Sequence, residues 1–132
     1  MEKVLGIGGV FLRARDREAL ARWYRDHLGV PVDEAWWGGM FPLSTPHDTA
    51  GAGVVWSAFP HDTGYFGAAS NAHMINFRVR DLDAMLAQLR AAGCAVDERV
   101  ERSEYGAFGW VTDPEGGRVE LWQPPAAPPH GG

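Results

Sequence analysis

The sequence predicts an α+β domain in which two βαβββ modules form a curved mixed sheet around a groove. A repeat is the main reason, because residues 9–16 align without a gap with residues 74–81. Each copy ends in an aspartate that can cap a helix, and an amphipathic stretch follows it. Both stretches end on glycine, at Gly29 and Gly93, as helices commonly do. Short segments rich in strand-forming residues then follow in each half.

The first module is predicted to span residues 4–59. Apolar and small residues alternate along its first strand, and Asp16 is placed to cap the helix that follows. Leu20, Trp23, Tyr24 and Leu28 lie on one face of that helix. The predicted strands of this module are Val4–Arg13, Val30–Trp37 and Ala52–Phe59.

The second module is predicted to span residues 73–123, after a linker at 60–72. Asp81 caps its helix, and the turn at 113–117 has the proline and glycines of a hairpin. The predicted strands are His73–Arg80, Ala95–Arg99, Phe108–Thr112 and Arg118–Gln123. Residues 1–123 are therefore expected to form one domain, and the Pro/Gly-rich residues 124–132 a loose tail.

Composition excludes several classes of partner. The net charge is −5, and the single lysine and eleven arginines are scattered, so no nucleic-acid surface is expected. No apolar run approaches the length of a membrane span, so no membrane partner is expected either. Cys94 is the only cysteine, which precludes an intrachain disulfide and favours a cytoplasmic location.

Several motifs occur in an order that resembles the vicinal oxygen chelate superfamily over residues 4–123. This superfamily contains glyoxalase I, bleomycin-resistance proteins, fosfomycin-resistance thiol transferases and extradiol dioxygenases. The resemblance implies the two-module fold and a small molecule bound in the groove. The motifs are Phe11-Leu12-Arg13-Ala14-Arg15-Asp16, Trp23-Tyr24-Arg25-Asp26-His27-Leu28-Gly29, Phe77-Arg78-Val79-Arg80-Asp81-Leu82-Asp83, Asp113-Pro114-Glu115-Gly116 and Val119-Glu120-Leu121.

The resemblance also implies four metal-ligand positions, most of which lack a suitable donor in this chain. The two first-strand histidines of relatives fall at Gly9 and Met74, and a third position falls at Val55 or Trp56. Only Glu120 retains a donor that binds hard or borderline divalent ions. No metal or other cofactor is therefore expected. The alternative is an atypical site for Zn, Ni, Fe or Mn that uses Glu120 with His73.

Strand alternation predicts which side chains face the groove. Arg13 and Arg78 occupy equivalent places in the repeat, and each could either bind an anionic ligand or neutralise a carboxylate such as Glu120. Glu120 itself is a tentative general base. The predicted groove residues are Phe11, Arg13, Trp56, Met74, Asn76, Arg78 and Glu120.

The sequence is compatible with two functions. The first is metal-independent binding of a small aromatic or anionic molecule, as in the bleomycin-resistance relatives. The second is a glyoxalase-like lyase, isomerase or dioxygenase whose metal site combines Glu120, His73 and a loop histidine such as His47 or His61. A homodimer is expected from the resemblance, and the modules could pair within one chain or between two.

Overall fold

The computed structural model describes residues 1–42 and 53–126, where two helices and one mixed sheet of eight strands are found. The sheet order is β2-β3-β1-β4-β8-β7-β5, and β6 pairs with β7. The predicted α+β class is therefore confirmed. The elements are β1 Val4–Ala14, α1 Arg17–Leu28, β2 Gly38–Pro42, β3 Gly53–Pro60, β4 His73–Val79, α2 Leu82–Ala91, β5 Ala95–Val96, β6 Glu101–Ser103, β7 Gly106–Thr112 and β8 Arg118–Gln123.

The central strand pair joins the two modules within one chain. Strands β1 and β4 run antiparallel, and Val10 pairs with Ile75, its own counterpart in the repeat. In each module the first strand pairs in parallel with a later one, β1 with β3 and β4 with β8. The register thus reproduces the internal repeat as an approximate two-fold relation between the modules.

Both helices begin as the sequence predicts. The side chain of Asp16 accepts a hydrogen bond from the Ala19 amide at 3.0 Å, and that of Asp81 accepts one from Ala84 at 3.0 Å. These bonds satisfy amides that have no partner inside the helix. Gly29 ends α1 in the left-handed conformation, with φ of 73°.

Two predicted strands differ from the structure. The prediction of a strand at 30–37 is wrong, because Asp33 accepts a hydrogen bond from the Ala35 amide at 2.8 Å and starts a turn. That turn ends at Trp37, whose φ of 57° is outside the strand region. The predicted strand 95–99 shortens to β5, because Asp97 accepts a bond from the Arg99 amide at 2.9 Å.

Two buried clusters support the sheet. One lies between α2 and the sheet, and the other lies on the groove side, where linker residue Phe66 is fully buried. The linker at 60–72 therefore supplies core. The groove-side cluster consists of Phe11, Phe66, Met74 and Trp110.

Some predictions concern residues outside 1–42 and 53–126. The loop predicted at 42–51, which contains His47, lies outside the described residues except at Pro42. The first residue of the predicted strand Ala52–Phe59 and residues 127–132 of the predicted tail also lie outside them. Among the described residues, no helix is long and apolar enough to cross a membrane.

Candidate ligand-binding cavity

The curved sheet encloses a cavity of about 550 Å³ that both modules line. This volume is in the range of small-molecule sites. Strands β1, β2 and β3 form one side, β4, β7 and β8 form the other, and the linker contributes one residue. The lining residues are Gly8, Phe11, Trp36, Met40, Val55, Ser57, Phe59, Tyr65, Asn76, Tyr105, Phe108, Glu120 and Trp122.

Glu120 is the buried carboxylate of this cavity, with 1% of its surface exposed. Its Oε2 accepts hydrogen bonds from the hydroxyl of Tyr65 and from the indole Nε1 of Trp110, the latter at 2.9 Å. Its Oε1 accepts a bond from Nδ2 of Asn76 at 2.6 Å. All three donors are neutral, so dipoles rather than a cation favour the charged form of this carboxyl group.

Burial governs the ionisation of this group. Loss of hydration raises the pKa of Glu120 above its ordinary value of 4.5, while the bonds from Tyr65, Asn76 and Trp110 oppose the shift. Burial also raises the pKa of Tyr65, and the adjacent carboxylate adds to the effect. The tyrosine is therefore a hydrogen-bond donor over the physiological pH range.

Asn76 is placed beside Glu120 by strand pairing. It lies opposite Glu120 in the parallel β4–β8 register and is 2% exposed. Its Oδ1 is buried and has no hydrogen-bond partner among the described residues. The amide fits closely against Gly8, where an added Cβ would come within 2.1 Å of Oδ1.

Flat aromatic surfaces form much of the cavity wall. Phe108 and Trp122 are stacked with ring centroids 6.1 Å apart and an interplanar angle of 4°. On the opposite side, Phe59 and Tyr65 are stacked at 5.5 Å and 13°. At the rim, Trp36 is 41% exposed, which leaves an aromatic face open to a bound molecule.

Arg13 does not lie on the cavity wall. Its guanidinium group donates hydrogen bonds to linker carbonyl oxygens, namely those of His61 at 2.9 Å, Thr63 at 2.6 Å, Ala68 at 3.3 Å and Asn71 at 2.5 Å. The side chain also covers the ring of Phe66, 5.1 Å from its centroid. The structure therefore gives Arg13 a structural role, but its partners are linker carbonyl oxygens and not the Glu120 carboxylate that was predicted.

Three other predicted groove residues do not line the cavity. Trp56 points to the opposite face of β3, where its ring lies 4.5 Å from that of Tyr24. Met74 is fully buried in the groove-side cluster, and Arg78 lies over Gly6 and Gly8. Of the seven predicted residues, those on the wall are Phe11, Asn76 and Glu120.

Ten of the thirteen lining residues were not predicted, and two of these with polar side chains, Ser57 and Tyr65, were missed for different reasons. Ser57 pairs with Phe11 as Glu120 pairs with Asn76, so Ser57 is the repeat counterpart of Glu120. The assignment of that place to Val55 or Trp56 was wrong, and an exact strand register would have corrected it. Tyr65 lies in the linker, where no periodicity indicates the direction of a side chain.

The described residues do not fit the divalent metal that the resemblance implies. Gly9 has no side-chain donor, Met74 offers a thioether, and the oxygens of Glu120 already accept three protein hydrogen bonds. His73 is exposed at the start of β4, one residue from the inward-facing Met74. No group of three or more potential ligands is present within residues 1–42 and 53–126.

Comparison with known proteins establishes the family. The family model of the Glyoxalase/Bleomycin resistance protein/Dioxygenase superfamily matches residues 6–121. The chain belongs to this superfamily. A comparison with curated proteins found no match.

Solved structures share the fold. A methylmalonyl-CoA epimerase in complex with methylmalonyl-CoA and NH4+ has 22% identity and a TM-score of 0.70, with 96% of this chain and 99% of that chain covered. The methylmalonyl-CoA epimerase from Mycobacterium tuberculosis has 24% identity and a TM-score of 0.59, with 92% and 89% covered. A superfamily member from Vibrio splendidus 12B01 has 15% identity and a TM-score of 0.56, with 93% and 99% covered. These identities support a common fold and leave the activity to be argued from the site.

Proposed function

We propose that this protein binds a planar, uncharged or cationic aromatic molecule in its cavity and does so without a metal ion. The observation that carries this proposal is the composition of the cavity wall. The wall combines stacked aromatic rings with one buried carboxylate and no guanidinium or ammonium group among its described residues. Aromatic walls with a few convergent polar groups are typical of small-molecule sites.

The charge of the wall argues against an anionic ligand. All eleven arginines and the single lysine belong to the described residues, and none lines the cavity. An anion would lose hydration without gaining a cation and would approach the Glu120 carboxylate. One of the similar structures holds methylmalonyl-CoA, which carries carboxylate and phosphate groups. The described wall of this cavity has no cation to bind such groups.

The proposal can be tested with three ligands that share one ring system. Indole is uncharged, tryptamine is cationic and indole-3-carboxylate is anionic at neutral pH. We expect indole and tryptamine to raise the melting temperature and to give saturable isothermal titration curves, whereas the carboxylate gives neither. Tighter binding of the carboxylate than of indole would contradict the proposed charge preference.

The metal-independent part needs a separate measurement. Untagged protein should contain far less than one equivalent of Zn, Ni, Fe or Mn by mass spectrometry, and indole affinity should not change after dialysis against EDTA. Glu120→Ala provides the matched variant, because any ion held by this carboxylate would be lost from it. A stoichiometric metal in the parent protein that disappears from the variant would overturn this part of the proposal.

A further inference from the structure

We propose that the mouth of the cavity selects planar ligands of three fused rings, whose outer ring contacts Trp36 and Tyr105. This inference rests on the proposed function, because it concerns the aromatic molecule bound in the same cavity. It adds the size of that molecule and names two residues that determine specificity. Both side chains line the cavity and are accessible, since Trp36 is 41% and Tyr105 is 50% exposed.

The mouth of the cavity is apolar although solvent reaches it. Of the thirteen lining residues, those that keep more than a third of their surface exposed are Trp36, Met40 and Tyr105. Exposed apolar surface gathered at one place on a protein commonly marks a binding site. A molecule that fills only the interior would leave these three side chains in water, whereas a longer molecule covers them.

The interior of the cavity indicates the same size of ligand. Cavities of about 550 Å³ hold drug-sized molecules, which are larger than a single bicyclic ring. Inside, Phe108 and Trp122 form a flat stacked pair. Nε1 of Trp122 donates a hydrogen bond to the backbone oxygen of Tyr105 at 2.8 Å, so the inner wall continues into the mouth. A rigid planar molecule that stacks on the inner pair can therefore extend to Tyr105.

Trp36 is held in place by the turn that precedes β2. The amide of Trp37 donates to the carbonyl oxygen of Asp33 at 2.9 Å, and the buried Trp37 ring lies under the guanidinium of Arg22, 4.8 Å from its centroid. The ring of Trp36 lies against Gly38, where an added Cβ would come within 2.3 Å of it. A side chain that is already ordered loses little conformational entropy when a ligand stacks on it.

Tyr105 is fixed from the second module by the hairpin between β6 and β7. Its amide donates to Oγ of Ser103 at 3.1 Å. Gly106 follows with φ of 114°, and an added Cβ there would come within 2.2 Å of the carbonyl oxygen of Gln123. Trp36 and Tyr105 thus belong to different modules, and a ligand that contacts both spans the mouth.

The test compares quinoline with acridine, which has a third fused ring. Both carry one ring nitrogen and are largely uncharged at neutral pH, so they differ mainly in length. We expect acridine to bind the parent protein about tenfold more tightly, since the added ring loses its apolar surface to the mouth. Equilibrium dialysis measures both affinities.

Substitutions at the mouth should remove the gain from the third ring. In Trp36→Ala and in Tyr105→Ala the acridine-to-quinoline affinity ratio should fall to about three, and in the double variant to about one. The affinity for quinoline itself should change little, because its two rings fit inside the cavity.

Two control variants separate the mouth from other aromatic surface. Trp23 is also 50% exposed, but it lies on α1 and does not line the cavity, so Trp23→Ala should keep the ratio of the parent protein. Phe108→Leu changes the inner wall and should weaken both probes alike. Circular dichroism of each variant checks that the comparison is made between folded proteins.

The outcomes distinguish this inference from the function on which it rests. If acridine binds the parent protein no more tightly than quinoline, aromatic binding stands and selection by the mouth is refuted. A ratio that survives in the double variant, or that falls equally in Trp23→Ala, refutes it as well. If indole, quinoline and acridine all fail to bind up to their solubility limits, the proposed function and this inference both fail.

Discussion

Glu120 shows how immediate neighbours decide what a single carboxylate can do. In this chain two ring-bearing donors and an amide surround it, and each of them is neutral. Three such hydrogen bonds favour the charged form, while almost complete burial disfavours it. The effect of burial is the larger one, so the pKa of Glu120 is raised. Ionisation of this group therefore destabilises the folded protein.

This opposition predicts a pH-dependent difference between the parent protein and Glu120→Gln. A carboxyl group whose pKa is raised by folding stabilises the fold below its unfolded value of 4.5, and it loses that contribution as pH rises through the folded pKa. Glutamine does not titrate. The free energy of unfolding of the parent protein relative to the variant should therefore fall as pH increases from 4.5 to 8. Urea denaturation at several pH values measures it, and a difference that rises with pH would contradict the expected sign.

For single residues, the sequence predicts which face of the sheet a side chain lies on where the strand alternates regularly. Strand alternation and the repeat, together with the family resemblance, predict that Phe11, Asn76 and Glu120 face the groove, and all three lie on its wall. The predicted direction of the Trp56 side chain was wrong, because an error of one residue in strand alternation moves a side chain to the other face of the sheet. Tyr65 could not be predicted, because its position depends on loop geometry.

The linker between the modules behaves as a structural element although no strand or helix lies between Pro60, the end of β3, and the start of β4. Arg13, at the end of β1, donates to four of its carbonyl oxygens, and Phe66 anchors it in the core. These contacts hold Tyr65 where its hydroxyl meets Glu120. A residue predicted as a possible anion receptor therefore acts by positioning a loop.

Removing this guanidinium should loosen the linker selectively. We expect Arg13→Ala to reduce stability by about 2–3 kcal/mol, since hydrogen bonds to a charged group are lost and carbonyls remain unsatisfied. Hydrogen exchange should rise most in residues 61–71, and indole should bind more weakly because Tyr65 is displaced. Arg15→Ala, at an exposed arginine two residues away, is the control and should change little. Equal effects of the two substitutions would refute the positioning role.

The limits of prediction at the scale of elements have a physical cause. Strands β1, β4 and β8 were predicted closely because their alternation is long or their ends carry clear turn signals. The segment 30–37 was predicted as a strand, and its valines and tryptophans are typical strand residues. The side chain of Asp33 accepts a hydrogen bond from the backbone amide of Ala35, and the turn that this bond stabilises competes with sheet pairing.

In the whole molecule, the repeat is symmetric in its backbone and asymmetric in its chemistry. Val10 and Ile75 mark the centre of the approximate two-fold relation, yet the counterpart of Glu120 is Ser57. The second module supplies the carboxylate and the amide, and the first supplies apolar wall and a glycine that fits against that amide. The cavity therefore depends on close packing between the two modules. The sequence shows that the modules are similar, but it does not show how their side chains pack.

That close packing predicts that a small substitution at the junction between the modules lowers both stability and ligand binding. In Gly8→Ala the new Cβ would come within 2.1 Å of Oδ1 of Asn76 and 3.0 Å of the Trp122 ring. Because the bond to Glu120 holds Asn76 in place, relief of this contact must disturb the cavity. We expect a loss of about 1–3 kcal/mol in the free energy of unfolding, as overpacking typically causes, together with weaker indole binding. Gly64→Ala meets no atom within 4 Å and should stay within about 0.5 kcal/mol of the parent protein. If Gly8→Ala were as stable and bound indole as tightly as Gly64→Ala, the two modules would not be coupled through this contact.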